Sequence, residues 1–204
     1  MGNKKVTADE FVDAFTKEWE VFSVERNVSG ITPFEARGNW TLQMTTENGF
    51  LHRVMRRLNA AGRDLEYRME WYKVDALYVG GEDIYGRNLT YPSEVHAIIE
   101  HEFDENLETE MWKLIHWRCP LKVIINYDWA ESEKTSTSRK AYRGEKLRKL
   151  WTMLAAVNAF YPEAGNAEYL VLMATRDTTD SKISWMPYKY RDLPESQVPC
   201  APAT

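Results

Sequence analysis

Apolar strand-like segments and amphipathic helices alternate along much of this chain. The strand-like segments cover residues 95–103, 121–127, 168–175 and 183–190. Two predicted helices lie between the first three of these segments. They cover residues 105–117 and 139–159, where apolar residues recur at helical spacing. Elements in this order suit a mixed sheet flanked by helices. The sequence therefore predicts an α/β (α+β) fold with a mixed central β-sheet.

The first part of the chain adds two helices and a further strand. Thr7 and Glu10 have the spacing of a capping box, which predicts the start of the first helix. A second helix is predicted over residues 48–61, and a strand over 65–79. Residues 27–49 are rich in Gly, Asn and Thr, so we expect a loop or an irregular strand pair there.

A length of 204 residues fits one hydrophobic core. We expect a single domain over residues 1–191 and a Pro-rich, extended C-terminal tail over 192–204. No run approaches the ~20 apolar residues of a membrane span, and no apolar signal segment opens the chain. Cys119 and Cys200 are too few for a disulfide framework. Free thiols in a reducing, cytoplasmic compartment are the expectation.

Two acidic residues lie at the end of the strand-like segment 95–103. Glu100 and Glu102 share one face of that strand by period two. Like charges this close raise each other's proton affinity unless a cation or a positive side chain lies between them. A divalent ion resolves the conflict, and oxygen ligands favour Mg²⁺ or Mn²⁺ over zinc.

The alternative is that Glu100 and Glu102 mark the exit of the strand into solvent. Residues 94–110 contain several acids and no Lys or Arg, and such runs are usually solvated surface. Acids in the first turn of the following helix also compensate its dipole without any function. Both interpretations stay open at this level.

Asp75 favours the metal site. It lies in the apolar segment 74–79 and precedes Glu100 by 25 residues, which allows a turn and a return on an adjacent strand. An acid on one strand and an acid-x-acid or acid-x-Lys on the next, followed by a helix and a strand, resembles the PD-(D/E)xK nuclease superfamily. The resemblance covers residues 48–128 and implies a restriction-endonuclease-like fold.

The resemblance implies a metal-dependent nuclease that hydrolyses phosphodiester bonds in DNA. Asp75 and Glu100 would hold Mg²⁺ (or Mn²⁺), and an activated water would be the nucleophile. Glu102 stands where the family usually has lysine, and it would orient or deprotonate that water. Lys113 could stabilise the transition state. The lysines near enough in sequence to replace the motif lysine are Lys113, Lys122 and Lys73.

Two basic clusters bear on the substrate. Arg53, Arg56 and Arg57 lie on the second predicted helix, and Arg139, Arg143 and Lys146 lie on the long one. Such faces suit a phosphate backbone, so DNA is the expected partner, although solvated helix exteriors have the same composition. The net charge of −5 is then an average over unlike regions. Many nucleases of this type act as homodimers.

A non-catalytic protein is the alternative from another class. A nuclease-fold descendant or another α/β protein could bind a protein or a nucleic acid without cleaving it. The absence of lysine at position 102 and the acidic net charge favour this interpretation. The eight Trp residues also suit a binding surface, since Trp is a frequent interface anchor.

Overall fold

A six-stranded mixed sheet forms the centre of the protein. The structure is a computed structural model, and it describes residues 5–26, 37–71, 73–83, 92–103, 107–128, 136–160, 167–176 and 182–190. The strands, in chain order, are β1 Glu66–Trp71, β2 Val74–Asp83, β3 Pro92–His101, β4 Leu121–Tyr127, β5 Glu168–Arg176 and β6 Ile183–Lys189. They lie side by side in that same order.

Neighbouring strands are antiparallel on both sides of the sheet and parallel in its centre. β1, β2 and β3 are antiparallel neighbours, whereas β3, β4 and β5 run parallel, and β6 returns antiparallel to β5. Parallel neighbours need a crossover connection, and the helices between β3 and β4 and between β4 and β5 supply it. The predicted mixed sheet flanked by helices is therefore confirmed.

In the part of the chain that the structure describes, five helices cover the two faces of the sheet. They are α1 Ala8–Glu25, α2 Arg37–Thr45, α3 Phe50–Ala60, α4 Leu107–Ile115 and α5 Ser136–Phe160. The first three pack on one face, over residues such as Ala76, Ile99 and Val123. α4 and α5 pack on the other face, over residues such as Leu77 and Ile124. Strand residues of alternate parity thus belong to different helix layers.

The start of α1 follows the sequence prediction. The Thr7 side chain accepts a hydrogen bond from the backbone N–H of Glu10, and the Glu10 carboxylate accepts one from the backbone N–H of Thr7. The stripe Phe11, Phe15 and Phe22 is fully buried. The capping box and the apolar spacing therefore act together, as predicted.

Two segments differ from their sequence predictions. Residues 27–49 were expected to form a loop or a strand pair, yet α2 occupies 37–45. Trp40 and Met44, one helical turn apart, are both 0% exposed, so their burial outweighs the weak helix propensity of Gly, Asn and Thr. The strand predicted over 65–79 is a hairpin of β1 and β2, with Lys73 at a φ of 62° in the turn.

The long helix α5 begins at Ser136, three residues before its predicted start at 139. Several sequence predictions lie outside the described residues. These are the end of the long helix that Pro162 and Gly165 predict and the Pro-rich tail over 192–204. The Ser/Thr-rich loop predicted near 132–138 lies partly outside them, and its residues 136–138 belong to α5. Cys119 is buried, and its Sγ donates a hydrogen bond to the Leu121 carbonyl at 3.1 Å.

Candidate functional site

Asp75 and Glu100 meet at one edge of the sheet. Asp75 is the second residue of β2 and Glu100 the last but one of β3, and the register that pairs Ala76 with Ile99 brings these two acids to neighbouring positions. By period two, each belongs to the face covered by α4 and α5. The backbone N–H of His101 donates a 2.6 Å hydrogen bond to Asp75 Oδ2 and holds that carboxylate against β3.

Lys113 of α4 provides a positive charge beside this acid pair. Its Nζ lies 2.9 Å from Glu100 Oε1 and contacts the carboxylate of Glu110. It also donates a 3.1 Å hydrogen bond to the Lys73 carbonyl. The side chain of Lys73 is exposed, and the Lys122 amine bonds to the Tyr169 hydroxyl and the Ile115 carbonyl. Of the three lysines considered, Lys113 is the one that reaches Glu100.

The electrostatics of the site favour added positive charge. Glu100 is 2% exposed, and burial raises its pKa to about 8 even though the hydrogen bond from Lys113 acts to lower it. The neighbouring charge of Asp75 raises it further. Burial also raises the pKa of Asp75, against the hydrogen bond from His101. A cation that binds beside a carboxyl group with a raised pKa lowers that pKa again, because the cation stabilises the charged form.

Glu102 lies immediately past β3 and is fixed there by its backbone. Its N–H donates to the Ile125 carbonyl at 2.9 Å, and its carbonyl accepts from Asn126 Nδ2 at 2.6 Å. Its charge contributes to the raised pKa of Asp75, so the Glu102 side chain belongs to the same electrostatic cluster. His101, between the two acids, points away and bonds to the Tyr127 hydroxyl on the opposite face.

The basic residues of α5 reach the same edge of the sheet, at the end of β4. Arg143 Nη1 lies 2.8 Å from Asp128 Oδ2. Lys146 Nζ donates to Asn126 Oδ1 at 2.8 Å and to the Tyr127 carbonyl at 3.2 Å. Arg139 is close enough for its charge to lower the pKa of Asp128, which burial raises. Because β3 and β4 are parallel, their carboxyl ends bring these groups and the acids to one edge.

The basic residues of α3 lie on the opposite face of the sheet from α4 and α5. Arg53 Nε lies 2.6 Å from Glu18 Oε1, and Arg57 Nη2 lies 2.8 Å from Glu18 Oε2. Arg56 bonds to Asn48. The structure therefore does not bring this cluster together with the acids. Of the two basic clusters predicted from the sequence to bind DNA, the one on α5 lies at the same edge of the sheet as Asp75 and Glu100.

The contacts of α3 predict a stabilising role for Arg53. Replacing Arg53 with Ala leaves the buried Glu18 carboxylate with one partner fewer, so we expect the free energy of unfolding to fall by roughly 2 kcal/mol. Arg56→Ala, which removes a contact to an exposed Asn48 side chain, should change it by about 0.5 kcal/mol or less. Urea unfolding of both variants measures the difference. Equal stabilities would contradict the assigned role.

Sequence reasoning missed three polar residues of the site. Glu110 was interpreted only as part of the acidic run over 94–110, although its position three residues before Lys113 on a helix indicates an ion pair. Asn126 is the last residue but one of the apolar strand β4 and Asp128 directly follows the strand, and neither belongs to a motif. The contact of Asn126 with Glu102 follows from the parallel pairing of β3 with β4, which the sequence does not state.

The donor set of the site suits a hard cation. Among the residues that the structure describes, no group of three or more His, Cys, Asp and Glu side chains is arranged to hold a metal ion. Mg²⁺ commonly uses one or two carboxylates and completes its shell with water and substrate phosphates. The paired carboxylates of Asp75 and Glu100 meet that smaller requirement.

The chain was compared with known proteins at three levels. It matches no protein-family model, no curated protein and no solved structure. Within the described ranges, none of the helices combines the length and the apolar character that a membrane span requires.

Proposed function

We propose that this protein is a metal-dependent nuclease that hydrolyses phosphodiester bonds in DNA. The observation that carries the proposal is the pairing of Asp75 with Glu100 at one sheet edge, beside the amine of Lys113. Two acids on adjacent buried strand ends are costly unless a cation or a protonated group accompanies them. Mg²⁺ or Mn²⁺ is the cofactor that this chemistry suggests.

The order of elements around the acids supports a PD-(D/E)xK-like nuclease. Asp75 lies on β2 and Glu100 on the adjacent β3, and α4 and the parallel strand β4 follow. This is the succession of acid strand, acid strand, helix and strand on which the resemblance rests. A restriction-endonuclease-like fold is part of the proposal.

The residues divide the proposed chemistry among them. Asp75, held by the N–H of His101, and Glu100 would ligate the ion. A bound Mg²⁺ supplies Lewis acidity and lowers the pKa of a coordinated water. Glu102, whose backbone is fixed on both sides, accepts a proton from the attacking water or orients it. Lys113 donates hydrogen bonds to the charge that develops on the phosphate.

The basic side chains of α5 support a polyanionic substrate. Arg143 and Arg139 lie near Asp128 at the end of β4, on the same edge of the sheet as Asp75 and Glu100. Arg–phosphate pairs supply affinity and register without reading the base sequence. DNA is therefore the proposed partner, with sequence preference left to other contacts.

One observation favours a non-catalytic protein as the second candidate. Lys113 already places an ammonium group against Glu100 and Glu110, so the acids have a positive partner within the chain. Burial acts to lower the pKa of Lys113, but these two carboxylates outweigh it and keep the amine charged. A protein of this kind would bind DNA or a partner protein and would take up no divalent ion.

The proposal is tested by cleavage of nucleic acids of defined form. Purified protein should cut at least one of supercoiled plasmid, linear duplex, single-stranded DNA and single-stranded RNA when Mg²⁺ or Mn²⁺ is present. Cleavage should stop in EDTA, because the metal supplies the activated water. Cleavage of RNA alone would contradict the DNA assignment. Intact substrates in every divalent-ion condition would contradict the nuclease proposal.

Lys113→Met should lower the cleavage rate by about 10²-fold, since one preorganised donor to the developing phosphate charge is lost. Lys149→Met is the matched control, because that lysine is exposed on α5 and forms ion pairs with Glu108 at 3.7 Å and Glu145 at 3.4 Å. The control should cut at the wild-type rate. Equal rates for the two variants would remove Lys113 from the proposed mechanism.

A further inference from the structure

Lys146 is a buried lysine that the proposed chemistry does not use. The side chain is 7% exposed, although the sequence pattern placed it on the outward, DNA-binding face of the long helix. Burying an ammonium group is costly unless hydrogen bonds compensate for the lost water. Its amine donates hydrogen bonds to Asn126 Oδ1 and to the Tyr127 carbonyl, and both acceptors lie at the end of β4.

Asn126 connects Lys146 to Glu102, the residue that follows β3, through two hydrogen bonds. It is 0% exposed, its oxygen accepts from Lys146, and its nitrogen donates to the Glu102 carbonyl at 2.6 Å. The hydrogen bond from Lys146 also fixes the amide orientation, because a lysine can only donate and therefore requires the oxygen of Asn126. The nitrogen must then face Glu102.

The Glu102 backbone depends on this arrangement. β3 ends at His101, so Glu102 lies beyond the last strand residue. Its N–H is bound by Ile125 and its carbonyl by Asn126, which are consecutive residues of β4. The peptide groups on both sides of the Glu102 side chain are thereby fixed relative to Glu100. One turn earlier on α5, Arg143 binds Asp128 and anchors the helix to the same strand end.

We infer that Lys146, acting through Asn126, is a positioning residue that orients Glu102 for water activation. This inference rests on the proposed nuclease function. It assigns Lys146 a role different from phosphate binding, because the amine is committed to the strand end. Residues that orient a metal ligand or a reacting group through hydrogen bonds typically contribute about 10- to 100-fold to activity.

The test compares Lys146→Met and Asn126→Ala with a matched loss of a buried amine. Lys122→Met is the control, since Lys122 is a buried lysine on the same face whose amine bonds to Tyr169 and Ile115, away from Glu102. Both test variants should lower kcat by about 10- to 100-fold with KM for DNA nearly unchanged. Their double variant should lose no more than either alone, because the two residues act as one unit.

The salt dependence of DNA binding distinguishes positioning from phosphate contact. A lysine that neutralises a phosphate makes the slope of log affinity against log salt shallower by about 1 when it is removed. A positioning lysine leaves the slope unchanged. A raised KM with a shallower slope in Lys146→Met, or a kcat equal to that of Lys122→Met, would overturn the inference while leaving the nuclease function intact.

A second readout needs no activity. Amide hydrogen exchange at Glu102 and Phe103 should be faster in Lys146→Met and Asn126→Ala than in Lys122→Met, because the Asn126 bridge is lost. If the wild-type protein cuts nothing, the nuclease proposal fails, and this exchange experiment alone decides the positioning contact. Exchange rates equal to those of the control would then overturn it as well.

Discussion

Asp75→Asn and Glu100→Gln are expected to abolish metal-dependent cleavage, with rates at least about 10³-fold below wild type. The loss follows from the proposed ligation, because an amide oxygen is neutral and holds a divalent ion far less well than a carboxylate. Stabilisation of the attacking water and of the phosphate by a metal is worth several kcal/mol, which corresponds to a change of this size.

Both variants should fold, which separates a lost ligand from a lost structure. Gln at position 100 keeps the volume of a side chain that is buried and whose pKa is already raised, so a neutral group suits the site. Glu94→Gln is the matched control, because Glu94 lies near the start of the same strand and bonds to His96. Cleavage that survives unchanged in Asp75→Asn and Glu100→Gln would show that the site is assigned to the wrong residues.

The second large effect is a loss of stability with rising pH in the absence of metal. Burial raises the pKa of Glu100 from 4.5 to about 8, so the folded protein holds a proton there that the unfolded chain has released. Stability then falls as the pH rises between those two values and levels off above about pH 8.

His101 acts in the opposite direction over the lower part of this range. Burial lowers its pKa from 6.5 to about 3, so folding is favoured as the pH rises through that window and the effect is complete above 6.5. The fall due to Glu100 is therefore clearest above about pH 6.5. From about pH 6.5 to about pH 8, a range of about 1.5 pH units, we expect the free energy of unfolding to fall by about 2 kcal/mol, at about 1.4 kcal/mol per unit.

Urea unfolding in EDTA, from about pH 6.5 to about pH 8.5, measures this loss. Wild-type stability should decline across the series, whereas Glu100→Gln should stay nearly level because its side chain does not titrate. Added Mg²⁺ should flatten the wild-type curve, since a bound cation favours the ionised carboxylate. Parallel curves for wild type and Glu100→Gln would contradict the assigned protonation of Glu100.

The strand and helix patterns of the sequence were sufficient for most of the fold. β4 occupies the predicted residues 121–127, because an apolar run of that length after Pro120 has few alternatives. α2 was missed, since its Gly and Asn residues mask the burial of Trp40 and Met44. Local amino-acid composition does not show which residues of a segment become buried against the other helices and the sheet.

The candidate site was predicted in part. Period two and chain reversal were enough to suggest that Asp75 and Glu100 are neighbours. The face on which each helix packs was not readable, so Arg53 and Arg143 received the same assignment although they lie on opposite sides of the sheet. Lys146 shows the same limit, because its position on the helix suggested solvent while β4 supplies buried partners.

The central claim is that Asp75 and Glu100 form a divalent-cation site, and calorimetric titration with Mg²⁺ and Mn²⁺ tests it directly. The wild-type protein should bind with a dissociation constant in the millimolar range or below, and Asp75→Asn and Glu100→Gln should show no binding heat. Folded wild-type protein that binds neither ion at concentrations up to about 10 mM would contradict the claim. Lys113 would then be the only cation that the two acids require.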